Sequence, residues 1–541
     1  HNFIWKGIDG TGILTHITYD YAAEMTPVKI IEKWKANPEK EDVPAYLYPF
    51  GHGDGGGGAT RVHLEYLKRE KNLEGMPRVE CKSPEEFFSF VEKDCDMEAE
   101  YRGELYFAAH RGPYTSQAET KKNNRTCEML LRETELWLSL CCPEAYDKEL
   151  LDSLWKKLLF NQFHDIIPGS AIHRVYEIAE KDYQEIKDGC RKLLEKAIHG
   201  DGDDHFLTVY NSLSWDREVC IELPEGYRSI LGMDGQPIKT QELDGKVLAF
   251  VTIPSVGYRN FEIRKEDNGK DSMIIETGSV LMNGKSISKE WIDDGSGALD
   301  GFANGSGEGS FSLENALVRA DFDEHGTLLQ FIDKETGVEY LTAPSNVFRM
   351  YRDMPLFFDA WDINSSYEKE EVELPEQAEV ESVWKGSLVS GFKTVRKIAK
   401  SVIRQTVTLA RNSKQLTFET EVDWQETHKL LKVDMNTNLQ TDELLSEIQF
   451  GHVRRPNHKS RPYDADRFEV CQHKWSAFAE PKRGIALLND CKYGISADSG
   501  RMSLTLLKSA AAPDPFADKG IHKFTSALLL FAGEEGKSDV V

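Results

Sequence analysis

The chain has 541 residues and a formal net charge of -25 at pH 7. This length suffices for several domains, each with its own core. Both signs of charge are scattered along the sequence, whereas phosphate contacts need clustered Lys and Arg, so neither a nucleic-acid partner nor an anionic membrane surface is expected. No apolar run approaches the roughly 18 residues of a membrane-spanning helix.

The nine cysteines contain no CxxC motif and show no regular spacing, which argues against a disulfide framework and favours a reducing compartment. We therefore expect a cytoplasmic protein. The sequence starts at HNFIWKGIDG without Met and without the pattern of a signal peptide. We interpret it as a piece of a longer protein.

The first 78 residues show the pattern of an α/β domain. Residues Ala45 to Phe50 (AYLYPF) are predicted as a buried strand, GHGDGGGGAT as a glycine loop, and RVHLEYLKRE as a helix with apolar residues at helical spacing. Strand, loop and helix in this order are typical of α/β folds. We predict part of an α/β domain over residues 1–78.

Residues 79–200 are predicted to be almost wholly helical. The stretch SPEE (83–86) supplies an N-cap Ser, a first-turn Pro and a capping-box Glu. Long helices are expected from near Ser116, over residues 144–165, and from an N-cap at Ser170. Three long helices in sequence predict a three-helix bundle.

From residue 201 onward the apolar period changes from that of a helix to that of a strand, as in the alternating stretch 416–424. We predict a small β-sandwich over residues 201–268 and a large β-sandwich over residues 269–541. The glycine- and serine-rich stretch 295–310 is predicted as a long loop. The large sandwich is expected to be incomplete.

The glycine run GDGGGG (53–58) is open to three interpretations. It satisfies the G-x-G-x-x-G spacing of a dinucleotide-binding loop, but Asp54 would place a carboxylate beside the pyrophosphate and would repel it. Alternatively, the glycines let the backbone approach a ligand that Asp54 faces. The third interpretation is a loop with a structural role alone.

The segment AAHRGPYTSQA (108–118) places His110, Arg111 and Tyr114 directly before the helix expected at Ser116. Imidazole and guanidinium groups donate hydrogen bonds, and an aromatic ring offers a stacking surface, so the segment suits a hydroxyl-rich ligand. An ordinary capped turn explains the same pattern.

The stretch NQFHDIIPGS (161–170) places His164 in the last turn predicted for a helix, with Asp165 next to it. A neutral imidazole is a good zinc ligand, but zinc takes roughly three or four protein ligands. No HxH, HExxH or CxxC motif lies nearby. The alternative is a histidine that interacts with its own helix C-terminus, and the residues alone leave both interpretations open.

Three motifs in this order, GDGGGG, AAHRGPYTSQA and LLFNQFHDIIPGS, resemble glycoside hydrolase family 38, the retaining α-mannosidases, and in particular its bacterial and cytosolic branch. The stretches FIWKGIDGTGILTH, RFEVCQHKW, ALLNDCKYG and KSAAAPDP also resemble the family, so the resemblance spans essentially the whole chain. It implies a multidomain α/β, all-α and all-β fold: a seven-stranded α/β barrel-like domain, here partial, then a helical bundle and β-sandwich domains.

The resemblance also implies a mechanism with an Asp nucleophile, a second carboxylate as acid/base, and a zinc ion that coordinates sugar hydroxyls. By resemblance, His164 is a zinc ligand, Asp165 contacts the mannose and Asp54 is the acid/base candidate. The two carboxyl groups of a retaining enzyme lie about 5 Å apart.

The resemblance further implies that His110 and Arg111 line the sugar subsite, and Tyr21 is an additional candidate for it. The partner it implies is a mannose-containing oligosaccharide. Its linkage is not determined by the sequence, and a homo-oligomeric state is left open.

Members of the family have a His-x-Asp motif and a nucleophilic Asp near the N-terminus. No His-x-Asp triplet ends before Asp54 in this sequence, and we find no nucleophile. We therefore expect the chain to lack the N-terminal part of the catalytic domain, to hold zinc weakly or not at all, and to be inactive towards mannosides on its own.

Two further hypotheses are kept. A non-catalytic carbohydrate-binding remnant would bind sugar without turnover. A nucleotide-binding oxidoreductase would use the glycine run for its cofactor.

Overall fold

The computed structural model describes residues 1–18, 21–53, 56–95, 97–198, 205–265, 274–276, 278–281 and 310–533. The chain divides into two compact units, His1–Leu105 and Tyr106–Val541. Helices and strands are mixed, and the C-terminal region is rich in β-sheet. The loop predicted at 295–310 lies outside the described residues up to residue 309, and the predicted domain boundaries stay predictions.

The described residues of the first unit form a three-stranded sheet and three helices. Its elements are β1 (Asn2–Lys6), β2 (Gly12–His16), α1 (Pro27–Ala36), α2 (Arg61–Glu70), α3 (Pro84–Asp94) and β3 (Glu100–Arg102). Strand β1 pairs antiparallel with β2 and parallel with β3. Val43, Phe87 and Val91 form the buried cluster of this unit. The barrel predicted for this part of the chain stays a prediction.

The local helix signals of the first unit are confirmed. Helix α2 follows the glycine run as expected, and Ser83 caps α3 through the predicted capping box with Glu86. The strand predicted at Ala45–Phe50 is wrong, because among these residues the structure has a single parallel bridge, from Phe50 to Ala23. Prolines at positions 44 and 49 lack the N–H that a ladder of strand pairs needs.

The second unit begins with three long helices. They are α4 (Ala118–Cys141), α5 (Lys148–Asn161) and α6 (His173–Ala197). Their apolar faces enclose one buried cluster, which includes Leu131, Leu158 and Ile186. None of the described helices is long and apolar enough to span a membrane.

Two four-stranded sheets follow the helices. The first contains β4 (Phe206–Asn211), β6 (Ser229–Leu231), β7 (Pro237–Ile238) and β10 (Gly257–Arg264), and the second contains β5 (Arg217–Glu222), β8 (Thr240–Leu243), β9 (Lys246–Ile253) and β11 (Ile274–Glu276). Both contribute to one buried cluster, with Ile230 and Phe261 from the first sheet and Val251 from the second.

The other described strands form sheets of ten, six and four strands. The ten-stranded sheet contains β12 (Gly278–Leu281), β19 (Glu379–Lys385), β20 (Val389–Ile398), β21 (Ser401–Ala410), β22 (Gln415–Trp424), β24 (Glu443–Ile448), β25 (Gly451–Pro456), β27 (Trp475–Glu480), β28 (Arg483–Asn489) and β31 (Gly520–Phe531). The six-stranded sheet contains β17 (Val347–Arg352), β18 (Glu371–Val372), β23 (Lys429–Asn436), β26 (Val470–Cys471), β29 (Gly494–Asp498) and β30 (Arg501–Lys508). The four-stranded sheet contains β13 (Phe311–Glu314), β14 (Val318–Phe322), β15 (Leu328–Asp333) and β16 (Val338–Glu339).

These three sheets share one large hydrophobic core, with Phe418, Leu504 and Phe331 among its fully buried members. The alternating stretch at 416–424 is confirmed as strand β22. Ala118, the first residue of α4, belongs to the same core. The start of this helix is therefore packed against the sheets.

We expect the helical cluster of the second unit to tolerate loss of volume poorly. Leu158 of α5 is fully buried, whereas its neighbour Leu159 is 58% exposed. Leu158→Ala should lower the free energy of unfolding by about 2–5 kcal/mol through lost burial and a residual cavity. Leu159→Ala, the matched control, should change it by less than about 0.5 kcal/mol. Urea unfolding followed by tryptophan fluorescence measures both, and equal effects of the two variants would contradict the packing described.

Candidate functional site

The predicted site residues of the second unit lie on two segments. We call residues 106–117 the first motif segment and residues 162–172 the HD segment. The first motif segment contains one short helical turn, Gly112–Tyr114, and leads directly into α4. The HD segment joins α5 to α6.

His110 is exposed, and its backbone adopts the left-handed conformation, with φ of 55°. Its ring packs edge-on against the exposed ring of Phe107, with 5.3 Å between centroids. A positive φ is uncommon for a residue other than glycine, although histidine is among the residues that tolerate it better. The position of His110 is compatible with contact to a ligand from solvent.

Arg111 is buried, with 6% of its surface exposed. Its Nε and Nη2 atoms donate to the carbonyl oxygen of Asp466 at 3.2 and 2.8 Å, and Nε also approaches the Tyr106 hydroxyl at 3.1 Å. The guanidinium lies over the Phe468 ring, 4.2 Å from its centroid. These contacts hold the first motif segment against the chain near β26, and the predicted place of Arg111 in a sugar subsite stays a prediction.

The HD segment begins earlier than the sequence indicates. Helix α5 ends at Asn161, so the placement of His164 in its last turn is wrong. The helix tightens at its end, where the Gln162 N–H donates to the carbonyls of Leu159 and Phe160. His164 therefore lies in the turn that follows the helix.

His164 and Asp165 point at least partly into solvent. The His164 side chain is 78% exposed, its Nε2 lies 3.5 Å from Asp165 Oδ2, and its ring packs against Phe163 at 4.2 Å. The main-chain oxygen of Asp165 accepts from the Tyr176 hydroxyl at 3.3 Å. The Ser170 hydroxyl lies 3.4 Å from Asp165 Oδ1. Ser170 is thus not the N-cap of α6, a role that belongs to Ile172.

Lys121 ties the two segments together. Its buried ammonium donates to the carbonyl oxygen of Ser116 in the first motif segment and to that of Ile167 in the HD segment, the latter at 2.9 Å. Gly169 packs directly on Ser116, since a Cβ at this glycine would come within 2.3 Å of the Ser116 oxygen. The two motifs are therefore neighbours in space.

Carboxylates from the chain before β31 complete this arrangement. Asp518 accepts from the backbone N–H groups of Gln117 and Ala118 at 2.8 and 2.7 Å, at the start of α4. Asp514 accepts from the Gln117 amide at 2.8 Å and lies 3.1 Å from the Nδ1 of His173. Anionic groups at a helix N-terminus satisfy N–H groups that have no partner within the helix.

Burial shifts the pKa values of Lys121 and Asp518 in opposite directions. Desolvation lowers the pKa of the Lys121 ammonium to about 7, and the charge of Asp518 counters this only in part. Desolvation raises the pKa of Asp518, against the hydrogen bonds from the α4 N-terminus and the charge of His522. Both groups resist ionisation because few water molecules reach them.

Asp54 lies outside the described residues, so its placement stays a prediction. Tyr21 lies beside the glycine loop, since a Cβ at Gly53 would come within 2.4 Å of its ring. His52-Gly53-Asp54 is itself a His-x-Asp triplet in the sequence. The His52 ring lies 5.4 Å from that of His63.

A complete metal site is not visible in the described part of the chain, where no group of three or more His, Cys, Asp or Glu side chains could hold an ion. His164 and Asp165 offer two donors, fewer than the three or four protein ligands that zinc takes. These residues alone do not fit a closed zinc site.

Sequence reasoning missed Lys121, Asp514 and Asp518. Lys121 looks like any charged residue of the stretch AETKKNNR, and the two acids lie about 400 positions further on in PDPFADKG. No local signal pointed to them, because Ser116 has the pattern of an ordinary N-cap, whereas in the structure Gln117 is the N-cap of α4 and makes no side-chain cap bond.

Three family models match the chain in sequence order. Residues 1–104 match the glycosyl hydrolases family 38 N-terminal domain, residues 108–200 the alpha mannosidase middle domain, and residues 313–516 the glycosyl hydrolases family 38 C-terminal domain. The N-terminal domain is thus represented in the chain. The expectation that part of it is missing stays a prediction.

Curated relatives agree with these matches. Alpha-mannosidase 2C1 of Homo sapiens is 33% identical over 100% of this chain and 49% of the human protein. An alpha-mannosidase of Saccharomyces cerevisiae is 30% identical over 97% of this chain and 45% of the yeast protein. The chain spans about half the length of the curated relatives it matches.

The fold resembles that of a solved alpha-mannosidase from Enterococcus faecalis V583, with a TM-score of 0.74, 15% identity, and coverage of 99% of this chain and 69% of that one. The motif order and the three matches define a member of the glycoside hydrolases. The chain belongs to family 38 of that class, as the resemblance implied.

Lys121 should make stability depend on pH. Its folded pKa of about 7 lies below the ordinary 10.5, so between these values the unfolded chain binds a proton that the folded chain does not. Stability then rises with pH across this window. Relative to Lys121→Met, the wild-type free energy of unfolding should rise by about 1–3 kcal/mol from pH 7 to pH 9, as measured by urea unfolding.

The neighbouring variant Lys122→Met is the matched control, because Lys122 is less buried and donates to the carbonyl of Lys523 near the surface. The difference in free energy of unfolding between Lys122→Met and wild type should stay constant over the same pH range. If this difference were also constant with pH for Lys121→Met, Lys121 would remain charged in the folded state.

Proposed function

We propose that this chain carries the sugar-binding part of a zinc-dependent, retaining α-mannosidase that removes terminal α-D-mannosyl residues from oligosaccharides. The observation that carries the proposal is the contact between the first motif segment and the HD segment through Lys121, in a chain that belongs to family 38. Hydrolysis by the curated relatives is implied by their names, and its extension to this chain is part of the proposal.

Each residue has a chemical role in this proposal. Asp54 protonates the leaving oxygen as acid/base. Asp165 accepts a hydrogen bond from a mannose hydroxyl, and the exposed His110 donates one. Tyr21 offers its ring beside the glycine loop. Retention needs a second carboxyl group about 5 Å from the acid/base.

Arg111 acts through the segment that it holds, since its Nε and Nη2 donate to Asp466. His164 supplies one zinc ligand, and its exposed imidazole leaves it accessible. A bound zinc ion would polarise sugar hydroxyls as positive charge develops on the ring. We assign neither the nucleophile nor the other ligands to residues of this chain.

A carbohydrate-binding remnant without activity is the second candidate, and the unassigned nucleophile favours it. A nucleotide-binding oxidoreductase is disfavoured, because the strand that should precede a dinucleotide loop does not form at Ala45–Phe50.

A cytoplasmic location is also proposed. All nine cysteines lie in the described part of the chain, and each carries a thiol rather than a disulfide bond. Thiols persist in reducing compartments. The partner we propose is a mannose-containing oligosaccharide, and nucleic acid remains an unsuitable partner for a chain of net charge -25.

The 541-residue chain should not hydrolyse an aryl α-mannoside, because a retaining mechanism needs a nucleophile that we do not find. We expect release of nitrophenol from the wild-type chain to equal that from Asp54→Asn and from buffer. Turnover that requires zinc and is lost in Asp54→Asn would show that the chain is a complete enzyme, while binding of methyl α-mannoside without turnover supports the remnant.

Zinc should bind weakly, at less than one equivalent in calorimetry, since His164 is the one ligand assigned in this chain and zinc takes three or four. His164→Ala should abolish the residual binding. His325→Ala, which removes a partly exposed histidine after β14, should leave it unchanged. Tight binding of one zinc ion that survives loss of His164 would rule out this assignment.

A further inference from the structure

The loop between β17 and β18 exposes a group of large apolar side chains. We call residues 353–364, with the sequence DMPLFFDAWDIN, the aromatic loop. Leu356, Phe357 and Phe358 are 87%, 69% and 65% exposed. The ring of Phe358 lies 6.4 Å from that of Phe357 and 6.2 Å from the half-buried Trp361, so three rings form one cluster.

The ends of the aromatic loop are firmly anchored. Asp353 forms an ion pair with Lys508 at 2.5 Å, and both side chains are almost fully buried. The other oxygen of Asp353 accepts from the N–H of Asn364 at 2.9 Å, which closes the loop at its base. A charge pair this deeply buried is costly to break.

The middle of the loop is anchored as well. Asp359 Oδ2 accepts from the N–H of Ala511 at 2.7 Å and lies 3.0 Å from His428 Nε2. Phe358 adopts a φ of 59°, a strained conformation for a bulky residue. Strain of this kind persists only where the surroundings enforce it, and it is concentrated at ligand sites.

The aromatic loop is hydrogen-bonded to the first motif segment. The Gly112 N–H donates to the carbonyl of Trp361 at 3.0 Å, and the Ser116 hydroxyl donates to the carbonyl of Ala360 at 2.8 Å. A Cβ at Gly112 would come within 2.5 Å of the Ala360 oxygen. Ser116 is also the residue that Lys121 joins to the HD segment.

We propose that the ring cluster of Phe357, Phe358 and Trp361 is a stacking platform for a second hexose of the oligosaccharide, next to the terminal mannose. This inference rests on the proposed function and adds to it a subsite for the sugar on the leaving side. The platform selects glycans over single sugars or aryl mannosides by the contact it makes with that hexose.

The chemistry of the platform fits a hexose. A pyranose has an apolar C–H face that packs on an aromatic ring and a rim of hydroxyls that seek acceptors. Asp362, 30% exposed at the foot of the rings, offers a carboxylate for such hydroxyls, and its partner Arg111 is no nearer than 3.8 Å. A rigid platform also binds with little loss of conformational entropy.

The test compares methyl α-mannoside with the methyl glycoside of an α-linked mannose disaccharide, each titrated into the 541-residue chain by calorimetry. Wild type should bind the disaccharide about fivefold more tightly, the gain expected from one aromatic contact. Phe357→Ala should remove that gain and keep the affinity for methyl α-mannoside. Phe357 is exposed, so a thermal melt should show an unchanged fold.

Phe450→Ala is the matched control, since Phe450 is a fully exposed aromatic residue at the turn between β24 and β25. It should keep the fivefold preference. Equal binding of both sugars by wild type, or a preference that survives Phe357→Ala, overturns the platform and leaves the proposed function standing. Binding of neither sugar overturns the proposed function and the platform with it. Self-association that Phe357→Ala abolishes, without any effect on sugar preference, identifies the loop as a contact between copies and overturns the platform.

Discussion

The start of α4 is set by a carboxylate that lies 400 residues further along the chain. Asp518 accepts from the N–H groups of Gln117 and Ala118, and Ala118 itself belongs to the large sheet core. Without these bonds, two buried donors at the helix start would lack partners, which costs about 1–3 kcal/mol each. The helix that carries Lys121 is therefore placed by the sheets, and the HD segment is placed by Lys121 in turn.

This order of dependence divides the site residues into two groups. Three of them, Arg111, Lys121 and Asp518, are buried and form hydrogen bonds with backbone groups. His110 and His164 are exposed and keep ring atoms available to solvent. Binding sites work in this way because exposed groups hold a productive geometry only when buried neighbours fix their backbone. Arg111 thus holds the backbone of the segment that carries His110, and its contact with sugar stays a prediction.

Signals confined to neighbouring residues could be read from the sequence. The capping box of Ser83 and the alternation of strand β22 involve residues a few positions apart, and both are confirmed. The strand expected at Ala45–Phe50 was wrong because Pro44 and Pro49 lack the N–H that a strand ladder needs, although the stretch is apolar. The partner of Arg111, Asp466, lies 355 positions away in the sequence. No local pattern reveals that Lys121 becomes buried while its neighbour Lys122 stays partly exposed.

The aromatic loop contains two features that cost free energy, a buried ion pair and a strained backbone conformation, and such features are concentrated at functional sites. Burying the pair of Asp353 and Lys508 gains little over an apolar pair, and the positive φ of Phe358 costs roughly 1–3 kcal/mol. A simple connection between two strands needs neither feature, and exposed rings favour aggregation. These interactions fix the backbone of the loop, and with it the position of three rings, beside the segment that carries His110. Rigid apolar surface next to exposed hydrogen-bonding groups matches the two-sided chemistry of a sugar ring.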